Sequence, residues 1–431
     1  MTSTYADFLA TKTAGVPDQG KQWNPDDVHH YLHEWQRELV AWAAGRGRAA
    51  IWADTGLGKT LMQIEWARLM AGSGRSLIVA PLAVCAQTVR EAAKIGVTAT
   101  YVRSGDNLEP GMYVTNYEMV DHFDPTQFDA VVLDEASILK AHDGKTRTKL
   151  IRHFAPVPYR LACTATPAPN DPEELTNQSE FLGVMSRVNM LAAYFIHDSD
   201  GWRLKGHARS PMFAWMASWA VAIRRPSDMG YPDDGYILPG LNIESHLVDV
   251  TIEQDGQLFP TDLGGVGGRA AVRRSTMDAR CQRAAAIVAA EPDEPWLIWC
   301  GLNDEATTLE RLIPGAVNVH GGWSPEDKAE ALLGFADGDI PRLITKPSLA
   351  AFGLNWQHCA RMLFVGLSDS YEAYYQSIRR CYRYGQERVV DVHIVLSQLE
   401  AQIADNVRRK EQDAAMVATQ MVRAMQEGKH Q

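Results

Sequence analysis

Long apolar runs, a secretion signal and paired cysteines are all missing from this sequence. No apolar run reaches about 18 residues, so neither a membrane-spanning helix nor a membrane partner is expected. The first residues, MTSTYADFLATKTAG, lack the basic stretch and apolar core of a secretion signal. The six cysteines have neither CxxC nor Cys/His zinc spacing and are expected to be reduced core residues. These absences predict a cytoplasmic protein.

A surplus of positive charge is absent as well. The sequence has 42 Lys and Arg against 53 Asp and Glu, which gives a net charge of −11 at pH 7. The surface as a whole is therefore not expected to attract nucleic acid, and any binding of DNA or RNA needs a local basic groove. Hydrophobic residues make up 46% of the 431 residues and charged residues 22%, a composition typical of a globular protein with two or three domains.

The most informative segment present is Ala53–Thr60, which has the sequence Ala-Asp-Thr-Gly-Leu-Gly-Lys-Thr. Gly56 and Gly58 leave space for backbone N–H groups to surround phosphate oxygens, and the helix predicted next directs its positive end at them. Lys59 would bind the β- and γ-phosphates, and the Thr60 hydroxyl would bind Mg²⁺. The pattern predicts an ATP site whose binding residues include Thr55, Gly56, Leu57, Gly58, Lys59 and Thr60.

Two carboxylates follow a predicted buried strand. Ala130–Leu133 is apolar and contains two valines, as buried parallel strands often do, and Asp134 and Glu135 come directly after it. At a strand end beside a phosphate loop, Asp134 would complete the coordination of Mg²⁺ and Glu135 would polarise the attacking water. The alternative is a pair of surface acids. The phosphate loop about 75 residues earlier favours the catalytic interpretation.

Strands and helices alternate in both halves of the sequence. This alternation predicts an α/β fold with two units in tandem, each with a mainly parallel sheet and helices on both faces. The expected strands of the first unit are 49–53, 76–80, 112–115, 130–134 and 159–164, and those of the second are 296–300, 317–320, 342–345, 361–367 and 389–396.

Shifts in composition predict the domain boundaries. A Trp- and Met-rich segment at about 171–234 has a helical pattern, and the glycines at 264–268 predict a flexible loop. The C-terminal helix is expected to dock on the second unit rather than to form a partner-binding coiled coil. The predicted divisions are an N-terminal segment (1–33), the first unit (34–240), a linker (241–280), the second unit (281–397) and the C-terminal helix (398–431).

A pair of arginines supplies what the first unit lacks. Arg380 and Arg383 lie in the segment 376–386, and their spacing of three would place both on one face of a helix. Guanidinium groups that reach a γ-phosphate stabilise the charge of phosphoryl transfer. Arg-rich helices are more often solvated surfaces, but the position of this one in a second α/β unit favours catalysis. The predicted catalytic residues are Lys59, Asp134, Glu135, Arg380 and Arg383.

The order of these segments resembles the superfamily 2 helicase-type ATPases, and within them the Swi/Snf-related branch and the compact DEAD/DEAH-box helicases of bacteriophages. The resemblance runs from about Leu32 to Leu396, with Ala53 in place of the first loop glycine, as is usual there. Ser137 replaces the histidine of the DEAH motif, and Arg379 stands where motif VI normally has glycine. The matching segments are 35–36, 53–60 (motif I), 79–81 and 90–91 (Ia), 114–117 (Ib), 134–137 (II), 164–175 (III), 353–357 (V), 376–386 (VI), and 224–228 with 238–239.

The resemblance implies two tandem RecA-like domains with the nucleotide in the cleft between them. It implies ATP and Mg²⁺ as cofactors, hydrolysis on closure of the two lobes, and 3′-to-5′ movement along nucleic acid, with DNA favoured. It also adds two residues to the ATP site, Gln36 as the residue that recognises adenine, and Gly353. A viral relative would act in the host cytoplasm.

Contacts to nucleic acid are predicted at five positions. Thr115, Asn116 and Lys346 are candidates because they lie in or beside motifs that contact nucleic acid in this family. Arg203 and Lys205 are candidates because the segment 202–209 is basic and contains a tryptophan, as surfaces that stack on single strands do. A solvated surface is the alternative for that segment.

Three other functions are compatible with the sequence. The chain could be a translocase that moves along duplex DNA without separating its strands, or the motor subunit of a nuclease or modification complex. It could also be a binding module that has lost hydrolysis, although the intact Lys59, Asp134 and Glu135 argue against that. A nuclease or a replication factor is the protein partner expected if the chain has one.

Overall fold

The computed structural model describes residues 16–140, 144–199, 201–248, 275–352, 355–368 and 370–428. The chain divides into two units. The first unit holds residues up to Asp234 together with those from Glu411 onward, and the second unit holds Gly235–Lys410. Within the described ranges, no helix is both long and apolar enough to cross a bilayer.

A parallel sheet of seven strands lies at the centre of the described part of the first unit. This sheet and a separate antiparallel hairpin contain β1 (Arg48–Ala53), β2 (Arg75–Ala80), β3 (Ala99–Tyr101), β4 (Gly111–Asn116), β5 (Ala130–Asp134), β6 (Tyr159–Cys163), β7 (Phe195–Asp198), β8 (Gly201–Leu204) and β9 (Ala220–Ile223). The strand order in the sheet is β3-β4-β2-β5-β6-β1-β9, and β7 pairs with β8 in the hairpin. All five residues of β5 are buried, as its apolar sequence predicts.

Helices flank this sheet, and tryptophans fill part of its core. The helices are α1 (Glu34–Arg46), α2 (Lys59–Ala71), α3 (Leu82–Lys94), α4 (Lys145–Phe154), α5 (Leu175–Leu182), α6 (Arg187–Tyr194) and α7 (Arg209–Met216). The ring of Trp219 lies edge-on to Trp52 at 5.9 Å and to Trp215 at 5.6 Å between centroids. Trp52, Trp215 and Trp219 therefore belong to the core, whereas Trp202 is 37% exposed.

A second parallel sheet organises the second unit. Its strands are β10 (Leu241–Val248), β11 (Trp296–Cys300), β12 (Ala316–Asn318), β13 (Arg342–Thr345), β14 (Arg361–Val365) and β15 (Val390–Ser397), in the order β10-β15-β14-β11-β13-β12. The helices that come after α7 in the sequence are α8 (Met277–Ala290), α9 (Asn303–Leu312), α10 (Pro325–Asp337), α11 (Tyr371–Ile378) and α12 (Ala401–Gly428). The predicted tandem α/β architecture with parallel sheets is confirmed.

A buried charge cluster joins three elements of the second unit. The guanidinium of Arg280, on α8, is fully buried and contacts Glu305 on α9 at 2.6 Å. It also contacts Glu400, directly before α12, at 2.7 Å. Both carboxylates accept further hydrogen bonds from backbone N–H groups, so these charges are paired and hydrogen-bonded as burial requires.

Two stretches differ from the sequence prediction. The predicted linker at 241–280 contains β10, which pairs along its whole length with β15 and so belongs to the second sheet. The segment at 171–234, predicted to be helical, contains the β7–β8 hairpin and strand β9 beside its three short helices. Strand β9 pairs with β1, and this tertiary pairing outweighs the local helical pattern. The predicted flexible loop at 264–268 lies outside the described residues.

The C-terminal helix also differs from the prediction, because its second half packs on the first unit. Val417 and Met421 are buried in the hydrophobic core of the first unit. The Met425 thioether accepts a hydrogen bond from the N–H of Ala222 in β9 at 3.4 Å. The predicted docking on the second unit is therefore wrong for the part of α12 from Glu411 onward.

Replacing Met421 with alanine tests this packing. Met421 is 0% exposed, so Met421→Ala should destabilise the first unit by ~2–5 kcal/mol through lost burial and a cavity. Hydrogen exchange of the β9 backbone should become faster, and the thermal midpoint should fall. The control is Gln412→Ala on the exposed side of the same helix, which should leave both measurements nearly unchanged. Equal effects of the two substitutions would show that the helix does not support this unit.

Candidate nucleotide site

Three neighbouring strands of the first sheet end at one edge and carry the predicted motifs there. Strand β6 pairs in parallel with β1 on one side and with β5 on the other. Parallel strands present their carboxyl ends at the same edge, where ligands bind in α/β sheets. The phosphate loop follows β1, Asp134 ends β5, and Thr164 follows β6. The topology thus brings segments about 30 to 110 residues apart in the sequence to one place.

The loop between β1 and α2 has the backbone shape of a phosphate cradle. Gly56 and Gly58 have φ values of 89° and 74°, a region that favours glycine. In the described part of the chain, the N–H groups of Gly58, Lys59 and Thr60 have no acceptor. The Lys59 ammonium donates to the carbonyls of Ala53 at 2.8 Å and Asp54 at 3.2 Å. Free N–H donors and a nearby ammonium at a helix start fit a phosphate group.

Gln36, on α1, supports this loop through a hydrogen bond. Its side chain is buried, and its Nε2 donates to the carbonyl of Leu57 at 2.9 Å. Its Oε1 accepts from the N–H of His33 at 2.9 Å, which fixes the orientation of the amide. A Cβ at Gly58 would lie 2.5 Å from Gln36 Nε2, so a side chain there would displace the amide. Gln36 therefore supports the loop, and its recognition of adenine stays a prediction.

Asp134 is a buried carboxylate with one oxygen held in place. Its Oδ1 accepts from Gln63 Nε2 at 2.8 Å, and its backbone carbonyl accepts from the Tyr117 hydroxyl at 2.5 Å. Burial raises the pKa of Asp134, while the Gln63 hydrogen bond and the Lys59 charge oppose that rise. A buried carboxylate and the Thr60 hydroxyl are hard oxygen donors, so these residues fit Mg²⁺.

Glu135 is held in a strained backbone conformation next to Asp134. Its φ of 57° is in the left-handed region, which costs a non-glycine residue about 1–2 kcal/mol. Thr164 Oγ1 donates to Glu135 Oε2 at 3.2 Å, and the N–H of Thr166 donates to Thr164 Oγ1 at 3.0 Å. The segment after β6 is thus hydrogen-bonded to the carboxylate that is predicted to polarise water. Such strain occurs preferentially at functional sites.

The two predicted arginines lie in a turn and not on a helix. Helix α11 ends at Ile378, before both, so the predicted common helical face is wrong. The turn is held by Gln386, whose Nε2 donates to the carbonyls of Cys359 at 3.1 Å and Cys381 at 3.2 Å. The bond to Cys359, 27 residues away, is a tertiary contact that the helical pattern of the local sequence does not reveal.

Arg379 and Arg383, which both follow α11, lie in different environments. The Arg379 guanidinium lies over the rings of Tyr375 and Tyr382, at 5.1 and 5.3 Å from their centroids. Burial, and then the charges of Arg380 and Arg379, lower the pKa of Arg383 to about 10. Among the described residues the Arg383 guanidinium has no hydrogen-bond acceptor and no carboxylate partner. A partly buried guanidinium of this kind favours binding of an anion.

Most of the predicted nucleic-acid residues are occupied by contacts within their own unit. Thr115 is fully buried and donates to the carbonyl of Val102 at 2.8 Å, and buried Asn116 accepts from the Tyr101 hydroxyl at 2.7 Å. Neither side chain can reach a nucleic acid in this conformation. Arg203 pairs with Asp198 at 3.0 Å, and Lys205 donates to the carbonyl of Ala192 at 2.9 Å. Arg203 is exposed, but each cation already has a partner.

Two further positions complete the comparison with the sequence. Lys346 lines a cavity at the carboxyl edge of the second sheet, beside Trp299 and Tyr374. Gly353 lies outside the described residues. Gln63, which orients Asp134, was not predicted from the sequence. Its spacing of four from Lys59 on α2 is the signal that could have identified it, because residues four apart lie on one helical face.

Two family models match the chain, one in each unit. The first, described as "Type III restriction enzyme, res subunit", matches residues 27–169, and the second, "Helicase conserved C-terminal domain", matches residues 281–385. Together they match more than half of the chain. The chain belongs to superfamily 2 of the helicase-type ATPases. The first match contains Gln36, the phosphate loop, Asp134, Glu135 and Thr164, and the second ends just after the arginines. The comparison with curated proteins gives no match.

Solved structures resemble the fold of this superfamily 2 chain. A fragment described as the HsdR subunit of a type I restriction enzyme from Vibrio vulnificus YJ016 has a TM-score of 0.55 at 15% identity, with 88% of this chain and 66% of that chain covered. The Sulfolobus solfataricus SWI2/SNF2 ATPase core in complex with dsDNA has a TM-score of 0.45 at 17% identity, with 94% and 99% covered. The HsdR similarity supports the fold of two RecA-like domains.

A paired glycine substitution tests the loop. Gly58→Ala would place a Cβ against Gln36 and strain a left-handed backbone, so ATP affinity should fall at least about tenfold. Gly96→Ala imposes similar strain, because Gly96 has a φ of 67°, but a Cβ there meets nothing within 4 Å. The control should lose some stability and keep its affinity in equilibrium binding of a fluorescent ATP analogue. Equal affinities of the two variants would contradict the assignment of the loop.

Proposed function

We propose that this chain is an ATP-dependent helicase or translocase that couples ATP hydrolysis to movement along DNA. The observation that carries the proposal is the convergence of Lys59, Asp134, Glu135 and Thr164 at one edge of the first sheet. This set combines phosphate binding, a metal-binding carboxylate and a candidate base, which together are the requirements of phosphoryl transfer to water.

The proposed chemistry assigns one task to each group. The Lys59 ammonium would leave the carbonyls of Ala53 and Asp54 and bind the phosphates, joined by the free N–H groups of the loop. Mg²⁺ bound through Thr60 and Asp134 would neutralise phosphate charge. Glu135 would accept the hydrogen bond of the attacking water and orient it towards the γ-phosphate. Thr164 would sense the change at Glu135 through their hydrogen bond.

The second unit would complete the site with Arg380 and Arg383. We propose that these guanidiniums bind the γ-phosphate when the two units close, so that hydrolysis and closure depend on each other. Among the residues that the structure describes, the Arg383 guanidinium has no carboxylate partner, and this supports the role because an anion would offset the cost of its burial. Repeated closing and opening would move the chain along a nucleic acid in a 3′-to-5′ direction.

DNA is favoured over RNA as the nucleic acid because of the description of the first matching family model. Restriction enzymes act on DNA, and the first family model is described as a subunit of one. The net charge of −11 requires the contact to be local. Lys346 is the candidate for that contact, with Arg203 and Lys205 after release of their present partners.

The deciding experiment is ATP hydrolysis by the full chain without nucleic acid and with single-stranded DNA, duplex DNA or RNA. Stimulation by DNA is expected, and stronger stimulation by RNA would contradict the choice of DNA. Strand-displacement and triplex-displacement assays then separate a helicase from a translocase that leaves the duplex intact. Failure to bind ATP at all would overturn the proposal.

Glu135→Gln tests the proposed base. The substitution keeps the size of the side chain and removes its charge, so turnover should fall ~10²–10⁴-fold while ATP stays bound. Turnover is measured by phosphate release and binding by equilibrium filtration. The control is Glu109→Gln, the same chemical change at an exposed position of the first unit, which should behave as wild type. Normal turnover of Glu135→Gln would remove Glu135 from catalysis.

Arg383→Ala tests the contribution of the second unit. Loss of this guanidinium should lower kcat by ~10³-fold with little change in ATP affinity, because its contact is made to the transition state. Arg388→Ala is the matched control, since Arg388 pairs with Glu294 at 2.7 Å on the surface of the same unit. A loss of ATP affinity as large as the loss of kcat would argue against the role.

A motor subunit of a restriction or modification complex is the second candidate. The description of the first family model and that of the HsdR fragment both favour it. In this case the chain alone would bind ATP, and Gly58→Ala would weaken that binding as described above. Hydrolysis by the chain alone would be slow with every nucleic acid tested. Addition of the partner subunit would then restore stimulation by DNA.

A further inference from the structure

A group of two histidines and one glutamate lies on the second sheet, apart from every residue assigned to the nucleotide site. Glu244 and His393 are directly paired across the parallel strands β10 and β15, so their side chains share one face. His246 is two residues from Glu244 and lies on the same face. The candidate ligand atoms of these three residues are all within 4.8 Å of one another, and no other such group occurs among the residues that the structure describes.

The distances suit a shared ion. His246 Nε2 lies 3.0 Å from His393 Nδ1. Two nitrogens that bind one Zn²⁺ at about 2.0–2.1 Å in tetrahedral geometry are about 3.3 Å apart, close to this spacing. The Glu244 carboxylate lies 3.7 Å from His393 Nδ1 and 3.8 Å from His246 Nδ1. Its side chain is 66% exposed, so a small movement to complete the site costs little.

Charged groups from several elements surround the two histidines. Burial is the largest cause of a lowered pKa at both His246 and His393. The charged groups that face them are Glu244 on β10, Asp391 on β15, Glu291 after α8, Arg283 on α8 and Arg361 on β14. Glu291 and Asp391 both pair with Arg361 at 2.8 Å, so Glu244 is the carboxylate of this set that would face a cation.

An internal hydrogen bond is the competing explanation for the close approach of the rings. Arg283 Nη2 lies 3.1 Å from His246 Nδ1, and a guanidinium can only donate. His246 Nε2 would then carry the proton and donate it to His393 Nδ1. Binding of an ion at Nε2 requires this proton to move to Nδ1 and Arg283 to turn away. Arg283 is exposed, so its side chain can turn into solvent.

We propose that Glu244, His246 and His393 form a binding site for a divalent transition-metal ion, with Zn²⁺ best suited to the donors. Three protein ligands leave at least one position for water. The ion would join the exposed edge strand β10 to β15. The site would therefore strengthen the attachment of the strand that opens the second unit, independently of ATP.

The test is titration of the chelator-treated full chain with ZnCl₂, followed by calorimetry. Wild type should bind one equivalent, and zinc should raise its unfolding midpoint. His246→Ala and His393→Ala should each weaken binding at least about tenfold, and Glu244→Gln should weaken it less. His320→Ala, an exposed histidine of the same unit, is the matched control and should bind as wild type. Binding should also weaken as the pH falls, because protons compete for the imidazoles.

When the variants fold, either of two results would overturn the proposal. One is the absence of zinc binding by wild type, which would leave the histidine pair as a hydrogen bond only. The other is unchanged binding by the double variant His246→Ala/His393→Ala, which would place the ion elsewhere. If the histidine variants fail to fold, judged by circular dichroism without zinc, the exposed Glu244→Gln and the pH series decide, and unchanged binding in both would reject the site. ATP hydrolysis is not needed for any of these readouts.

Discussion

The parallel pairing of β1, β6 and β5 is the constraint on which the candidate site depends. These strands are neighbours, and each ends at the same edge of the sheet. The backbone hydrogen bonds of the sheet fix the spacing of the strand ends to about 4.8 Å. The predicted phosphate loop, the carboxylate predicted to bind Mg²⁺ and a hydroxyl that contacts the candidate base are therefore positioned by the sheet itself. Rigid strands place such groups more accurately than loops alone could.

Buried amides and hydroxyls then orient the charged groups at this edge. Gln36 holds the loop by Leu57, Gln63 holds Asp134, and Thr164 holds Glu135. Each is a neutral donor to a carbonyl or a carboxylate. Because these three side chains are uncharged, they do not neutralise Lys59, Asp134 or Glu135. The charges of those groups stay available for the proposed nucleotide and cation. The left-handed backbone of Glu135 is the local cost of pointing its carboxylate towards Thr164.

Buried strands could be predicted from the sequence because two covered faces demand a continuous apolar run. β5, β11 and β13 have the predicted bounds for this reason. β10 was missed because it is an edge strand with mostly exposed residues, so its sequence, LNIESHLV, carries no such run.

The positions of the Gly-rich loop after β1 and of Asp134 and Glu135 at the end of β5 could be predicted because each motif is local in the sequence. The turn at Arg380 could not, because Gln386 fixes it by a bond to Cys359, 27 residues away. The same holds for the second half of α12. Its apolar stripe indicates a buried face, but the surface that buries Met421 is set by tertiary packing.

Two arginines of the second unit, one fully and one partly buried, show how a structural charge differs from one with a proposed function. Arg280 is fully buried, and the chain supplies two carboxylates at 2.6 and 2.7 Å to offset its charge. Removal of one partner from such a cluster is strongly destabilising, so it acts as a fixed structural joint. Arg383 is partly buried beside two other arginines, and its pKa is lowered to about 10. A fold selected for stability alone would pair this guanidinium or expose it. A bound anion would offset the cost of this burial, and the γ-phosphate, whose charge spreads during transfer, is the anion that we propose for it.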